Sequence, residues 1–527
     1  MALDVGWVER YERACKHRMD PPRVHRDPPV TAPPLISRDR AVVKAHLLET
    51  FSELLEPLID AAFSGELTAR DAERRAWDAV LQIGRLLLTV LFAAICRCAT
   101  EAALAATGRS VVDVKLRMDV DYWPTVVSTF GPVSFPWFAF RDPGGVQVPA
   151  RALFPLHGRC CSSQLCLEWE TALASDHPFR KAAQALGFFT HGAVDLEDTT
   201  VERHAVLAGS QIAREWQYRT PAEIREILLD RATRDTTTGR PLIYSSTDAH
   251  ALRRYVDLTW RASWKMINGI RLWCIDRTTG ETVHLGGEYT WGDCREVASR
   301  YVELQRSGHL PADGDYGDGV VAQIVLPTDG TDWIAQHILP LFPNAEIPLD
   351  PYHVVEQVAD AAAKAFPRSK KKARRVVKRA RRALGIRDKR PRTVNRKGPR
   401  RRLHLTRHVP FDGDATQLLD VLVPILETLS GRARQRWETL LEYVRGNQHR
   451  MAYGELRNRG LKIGSGAIES LHRIASQLRL KLSGARWTAD VAQNVLNIRM
   501  LTLSGRWDEF WSQPDLAARI ATAERRA

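Results

Sequence analysis

An α/β fold is predicted from Arg240 onward, on three observations. Runs rich in β-branched and aromatic residues alternate with stretches of helical spacing in the order β-β-β-α-β-α-β. Turn signals such as the Thr-Thr-Gly of Thr278 to Gly280 separate them. Two aspartates, Asp329 after "VVAQIVLPT" and Asp350 after "AEIPL", each follow a short apolar run, where open α/β sheets keep their chemistry.

The elements follow in order. "PLIYSST" is a strand ending at Asp248, and "WKMINGIRLWCIDRTTGETVHLGGEYT" is a strand, a turn and a strand. "DCREVASRYVELQRSGH" is a helix, with Val297, Tyr301 and Leu304 at helical spacing. "GVVAQIVLP", the helix "DWIAQHILPLF" and the short strand "AEIPL" complete the series. Upstream, residues 1–40 read as a Pro-rich lead-in, helical patterning runs from about Ala41 to Ala106, and "VDVKLRMDVDYWPTVVSTFGPVSFPWFAFRDPGGVQV" reads as a small β-meander. "HPFRKAAQALGFFTHGAVDLEDTTVERHAVLAG" contains two short helical patterns around a Gly-containing turn, with Thr199 a candidate N-cap. That length suits a helix-turn-helix whose second helix enters a major groove, and it equally suits two packed helices of an ordinary α-domain. Beyond residue 412 the chain is helical again.

Composition excludes several classes. With 44% hydrophobic and 26% charged residues, the 527-residue chain is neither disordered nor fibrous. The longest apolar run, "LLLTVLFAAIC", lies between Arg85 and Arg97, falls short of the ~20 residues of a membrane span, and reads as a buried helix. The charged opening lacks the apolar core of a signal peptide, so a cytoplasmic location is expected. Eight scattered cysteines form no disulfide framework. Cys160, Cys161 and Cys166 cluster near His157, but no C-x-x-C pair accompanies them, so zinc is not expected.

Charge is informative once located. From Lys364 to Arg407 there are 21 lysines and arginines against one acid, Asp388, whereas the whole chain is only +14; the remainder is therefore net acidic. Self-repulsion at that density is relieved most readily by a polyanion. A weak apolar stripe (Ala373, Val376, Val377, Ala380, Leu384) marks the first half as a helix that lays Lys370, Lys371, Lys372, Arg374, Arg375, Lys378, Arg379, Arg381 and Arg382 along a phosphate backbone. Arg400, Arg401 and Arg402 extend the basic set.

Three acids sit where this layout brings them together: Asp248, Asp329, and Glu469 in the first turn of "GAIESLHR". Hard carboxylates from separate elements are what Mg²⁺ requires. Asp329 also suits a helix cap, with Asp332 three positions on, and Glu469 also suits an exposed pair with Arg473. Ile468, Leu471, Ala475, Leu478 and Leu482 form the apolar stripe of that helix and put Glu469 at its rim, within reach of a cleft. Asp350 precedes Pro351, a helix-start signature, and His353 shares its first turn; this pair is assigned to support the site and Asp329 to the metal.

"TDGTDWI", "FPNAEI", "LDPYHVVE" and "IGSGAIESLHR…LRLKLSGARW…LSGRWDEFW" resemble bacterial insertion-sequence transposases of the DDE type, most closely the ISKra family, with Mutator-like enzymes as more distant relatives. The resemblance implies an RNase H-like catalytic core with a helical insertion before the last acid. It further implies Asp248, Asp329 and Glu469 as the DDE triad and Asp350 with His353 as a D-x-x-H pair. The chain departs from that pattern at Asp248-Ala249, where Gly is usual after the aspartate, and in lacking a Cys-pair knuckle upstream.

The expected organisation is a helical region (1–110), a small β-rich region (111–170), a helix-turn-helix-like region (171–238), the first part of the core (239–353), a basic helical insertion (354–461) and the closing core helices (462–527). By the same resemblance, two Mg²⁺ or Mn²⁺ ions would serve cleavage at the element's ends and strand transfer into target DNA. Trp437 is a candidate for stacking on a flipped base. Expected partners are double-stranded DNA and, for synapsis, a second copy or more of the chain, in the nucleoid-associated cytoplasm and with no membrane. A transposase-derived DNA-binding protein without catalysis, and an RNase H-like nuclease without strand transfer, are the competing readings.

Overall fold

The structure is a computed structural model that describes residues 39–65, 67–109, 117–118, 124–154, 162–256, 261–386 and 413–526. It is a mixed α/β protein whose chain divides into two compact units: residues 1–126 with 130–150, and 127–129 with 151–527.

In the first unit two long helices form a hairpin, α1 (Arg40–Phe63) and α2 (Ala69–Ala106). Side chains set both starts: Asp39 accepts the Ala41 N–H at 2.8 Å and Thr68 accepts that of Asp71 at 3.2 Å. Short strands follow, β1 (Arg117–Met118), β2 (Thr125–Ser128), β3 (Gly131–Ser134), β4 (Phe138–Asp142) and β5 (Gly145–Gln147), paired as β1-β4-β5 and β2-β3. Gly84 of α2 admits the Phe130 ring, whose nearest atom would lie 2.3 Å from an added Cβ. The apolar run expected to be buried is not: only 22% of the most apolar window of α2 is buried, and Leu87, Leu91 and Ile95 are exposed. By length and composition alone, α2 is long and apolar enough to cross a membrane.

The second unit opens with helices α3 (Gln164–Asp176), α4 (Phe179–Phe189), α5 (Asp198–Ser210) and α6 (Pro221–Asp230). Helix α5 buries Val201, His204, Ala205, Leu207, Ala208 and Gly209 on one side, and Thr199 and Ser210 are exposed, with Glu202, Arg203 and Val206 partly so, on the other. It begins at Asp198 with Glu197 as N-cap, not at Thr199.

The sheet behind the site is built from β6 (Leu242–Val256), β7 (Arg261–Ile275), β8 (Thr282–Thr290) and, after α7 (Cys294–Arg306), β9 (Gln323–Val325), in the order β8-β7-β6-β9. The first three are antiparallel and β9 joins β6 in parallel. Residues 346–350 extend the sheet as isolated parallel bridges, Val325↔Glu346 and Thr328↔Leu349, beyond the short helix α8 (Asp332–His337). Alternation serves two faces. Ile243, Ile270, Leu272 and Cys274 pack with Val297, Tyr301 and Leu304 of α7, and Leu242, Tyr244 and Trp273 point into a second core. A bulge at Leu272/Trp273 leaves Gly286 at φ 151°, where a Cβ would strike the Tyr218 ring at 2.2 Å.

That second core continues into the helices that follow: α9 (Pro351–Ala365), α10 (Lys370–Ala383), α11 (Ala415–Leu426), α12 (Gly431–Gly446) and α13 (Tyr453–Asn458). The chain then returns to the sheet through α14 (Gly466–Leu471), a π-helical stretch (His472–Gln477) and α15 (Leu478–Leu480). It ends in α16 (Ala489–Ser504), α17 (Trp507–Trp511) and α18 (Leu516–Arg526). The apolar stripe expected through Leu478 and Leu482 breaks here, because both are exposed while Arg479 and Leu480 are buried. The wider π turn rotates everything beyond it relative to a 3.6-residue period.

Candidate active site

Strand register places the first two acids. Leu242, Ile243 and Tyr244 pair with Gln323, Ile324 and Val325, and Ser246 Oγ donates to the Pro327 carbonyl at 2.9 Å, all at the same offset of 81 residues. Carried past the last paired residues, Tyr244 and Val325, the same offset would set Asp248 opposite Asp329. The sequence reading ended β6 at Asp248, yet β6 runs on to Val256, paired throughout with β7. What ends near Asp248 is the parallel neighbour, so the residue stands where β6 outruns β9. Asp329 holds the loop after β9 by accepting the Thr331 N–H (3.0 Å) and hydroxyl (2.9 Å), while Thr331 takes the N-cap of α8.

The third acid arrives on a helix. Asp248 Oδ1 accepts the Ala249 N–H at 2.7 Å, and its Oδ2 lies 3.6 Å from His472 Nε2, one helical turn beyond Glu469. Burial pushes the Asp248 carboxyl up, but the His472 contact and the Ala249 N–H outweigh it, and the net shift is downward. Gly269, the partner of Asp248 on β7, is what admits His472: an added Cβ would lie 2.7 Å from the ring. His472 Nδ1 meets the Tyr289 hydroxyl at 3.1 Å, and its ring lies 4.4 Å from that of His250, whose Nε2 is 2.8 Å from Ser476 Oγ. His250 is held well below the usual histidine range, at about 3, by burial and by the neighbouring His472. Glu469 is largely exposed, and His353 Nε2 lies 3.8 Å from its Oε1.

Asp350 braces this arrangement. Its side chain is 2% exposed; Oδ1 accepts the Tyr352 N–H that caps α9 (2.7 Å), and Oδ2 accepts both the N–H (2.6 Å) and the hydroxyl (2.8 Å) of Ser465, the N-cap residue of the Glu469 helix. Arg450, itself buried, donates to the Thr328 hydroxyl and to the Ile347 carbonyl, tying the strand ends from below. Sequence reasoning missed His472, Ser465 and Arg450. The first carried a local signal, the Glu-x-x-His spacing of "ESLH"; the other two act across 115 and 122 residues and carried none.

The structure thus brings Asp248, Asp329, His353, Glu469 and His472 to one end of the sheet. Among the described residues, however, no group of three His, Cys, Asp or Glu is gathered so as to hold a metal ion. The donor chemistry is apt: Glu469 is a largely exposed hard-oxygen donor and Asp248 a half-buried one beside Ala249 and His472, whereas both oxygens of buried Asp350 accept hydrogen bonds. Trp437 is fully buried, its indole N–H on the Leu422 carbonyl at 2.9 Å, so no ring face is offered to a base. Lys370, Lys371, Lys372, Arg374, Arg375, Lys378, Arg379 and Arg382 are exposed along α10, Arg381 is half-buried, and Val376, Ala380 and Ala383 anchor its other side. Arg400, Arg401 and Arg402, with His157, Cys160 and Cys161, lie outside the described residues.

No protein-family model matches this chain, and no curated protein matches it. Among solved structures, a Drosophila P element transposase strand transfer complex aligns with a TM-score of 0.30 at 11% identity, over 64% of this chain and 91% of that one.

Proposed function

We propose that the chain is a DDE-type DNA transposase, similar to the ISKra family, that cuts the ends of an insertion sequence and joins them to target DNA. The observation that carries this reading is the helix that brings Glu469 within one turn of the His472–Asp248 contact, with Asp329 on the loop after the strand that pairs in parallel with β6. Three antiparallel strands followed by parallel ones, with a helical stretch before the third acid, support reading the sheet as an RNase H-like core.

Asp248, Asp329 and Glu469 would hold two divalent ions, which would supply Lewis acidity toward a phosphodiester oxygen and a lowered pKa for the attacking water. The chain's own groups do the rest. His472 orients the Asp248 carboxylate from the side away from solvent. Asp350 fixes Ser465, and through it the start of the helix on which Glu469 rides. His353 stands beside Glu469 at the rim, its Nε2 3.8 Å from Oε1. The exposed cations of α10 hold the duplex by its phosphates.

A second reading, a DNA-binding protein that no longer cuts, is favoured by the lack of a preformed three-donor group among the described residues. Incubation with a duplex carrying the element's own ends separates the two. Mg²⁺-dependent cutting and joined products, both abolished by Asp329→Asn with binding intact, support the transposase. Binding with no cutting in Mg²⁺ or Mn²⁺ supports the second reading, and cutting without joined products supports a nuclease.

A further inference from the structure

A cavity of about 460 Å³ opens at the outer edge of the sheet, between the end of β8, the start of α7, α16 and the 3₁₀ turn Arg214–Gln217. Three amides line it, and their orientations are fixed. Gln493 Nε2 donates to the Tyr289 carbonyl at 3.0 Å, so the Asn497 atom that the same nitrogen meets at 2.9 Å is an oxygen. Asn497 Nδ2 turns the other way, to the Gly209 carbonyl, and Gln217 presents Nε2 to the Asn497 oxygen at 3.4 Å. Gln217 Oε1 is what remains. It belongs to a residue only 2% exposed and meets no donor among the described residues. Trp291 Nε1, on another wall, is buried without an acceptor among them. Buried polar groups are seldom left so, and two at one cavity ask for an explanation.

The charge beside the cavity is unbalanced. Glu288 is paired with Arg300 at 2.6 and 3.0 Å, and Glu303 touches the same guanidinium. Arg214 is divided between Glu303 at 3.6 Å and Glu296 at 3.9 Å, so three carboxylates share two guanidiniums and Glu296 is the most loosely held. We propose that the cavity binds a small organic cation, an aliphatic amine or guanidine. Its N–H groups supply the donor that Gln217 Oε1 lacks and the charge that Glu296 lacks, while its methylenes lie along Ile212, Ala213 and Trp291. The volume is in the range of small-molecule sites. Asp248, Gly269 and Tyr289 are in register across β6, β7 and β8, so a ligand against Tyr289 stands level with Asp248, about 10 Å along the sheet.

Other ligands fit less well. A nucleotide would bring its phosphate past Glu296 and Glu303, like charge against like. A divalent ion would find Glu288 already neutralised by Arg300, and it has no use for a neighbouring indole N–H.

The inference is independent of catalysis, and Asp329→Asn is expected to leave it untouched. Isothermal titration calorimetry of the full chain, with agmatine and separately with spermidine, tests it. One saturable site is expected, with a dissociation constant on the order of 0.1 mM for the better amine. Preference for agmatine assigns a guanidinium to the site, and preference for spermidine an ammonium. Glu296→Gln keeps the stem that packs over Gly292 and is expected to weaken binding about tenfold, the worth of one charge-assisted hydrogen bond, with thermal stability unchanged. Gln217→Leu, which removes the buried acceptor, is the second variant and is expected to weaken binding with helical content unchanged. No heat from either amine up to about 10 mM, an affinity unchanged in both variants, or tighter binding of adenosine than of either amine overturns the proposal.

Discussion

His472 Nε2 and Asp248 Oδ2 face each other at 3.6 Å, across a gap that exists because residue 269 is glycine. The contact ties the returning helix to β6 and is a main reason the Asp248 carboxyl is held below its ordinary value despite burial. A carboxylate with a depressed folded pKa contributes stability that is present above its unfolded value and lost as pH falls through the folded one. His472→Asn is therefore expected to move Asp248 back up, so that acid unfolding followed by circular dichroism begins at a higher pH. An unchanged acid limb shows that the contact has no influence on Asp248.

Asp350 links two helix starts through three accepted hydrogen bonds while buried. Asp350→Ala removes a charge-assisted acceptor and strands the Ser465 N–H, for a cost of about 2–3 kcal/mol. Urea unfolding measures it. DNA cutting is expected to fall steeply while DNA affinity stays close to wild type, because α10 is untouched; parallel loss of both contradicts a supporting role.

Trp437 separates a core role from a base-stacking one. Its ring belongs to the core of the insertion, 6.4 Å from that of Phe366. Trp437→Ala is expected to cost about 3–5 kcal/mol, as large-to-small core changes do. Trp437→Phe, which keeps most of the volume, is expected to retain DNA cutting. A Phe variant that folds at wild-type stability and fails only at cutting restores the stacking role.

The cations of α10 predict how binding responds to salt. Replacing Lys371, Arg374 and Lys378 by Gln removes up to three phosphate contacts, and each lowers the slope of log affinity against log salt by about 0.9. The loss should be equal for unrelated duplexes, since phosphates carry no sequence information. An unchanged slope means that the exposed face of α10 does not track DNA.

The sequence made some features legible and hid others for identifiable reasons. The strand pattern of β6 to β9 could be read because both faces are buried and β-branched runs mark them. Asp248 was located but its strand was cut short: sequence shows where apolar residues stop, not where the neighbouring strand does. Glu469 and its rim position were legible from Ile468 and Leu471, yet the stripe failed at Leu478, since a π turn leaves no signature in apolar spacing. The apolar run of α2 looked like core because hydropathy does not distinguish a face turned inward from one turned outward. The bracing of Ser465 by Asp350 spans 115 residues and depends on tertiary folding alone.

Asp248, Asp329 and Glu469, far apart in the chain, are proposed to share divalent ions. Loading the full chain with Fe²⁺ in place of Mg²⁺, in the presence of DNA, and generating hydroxyl radicals with ascorbate and peroxide cuts the backbone beside the bound ion. Three sets of fragments are expected, ending near residues 248, 329 and 469, all suppressed by excess Mg²⁺ and by Asp329→Asn. Cleavage near one of these positions alone, or elsewhere in the chain, contradicts that sharing.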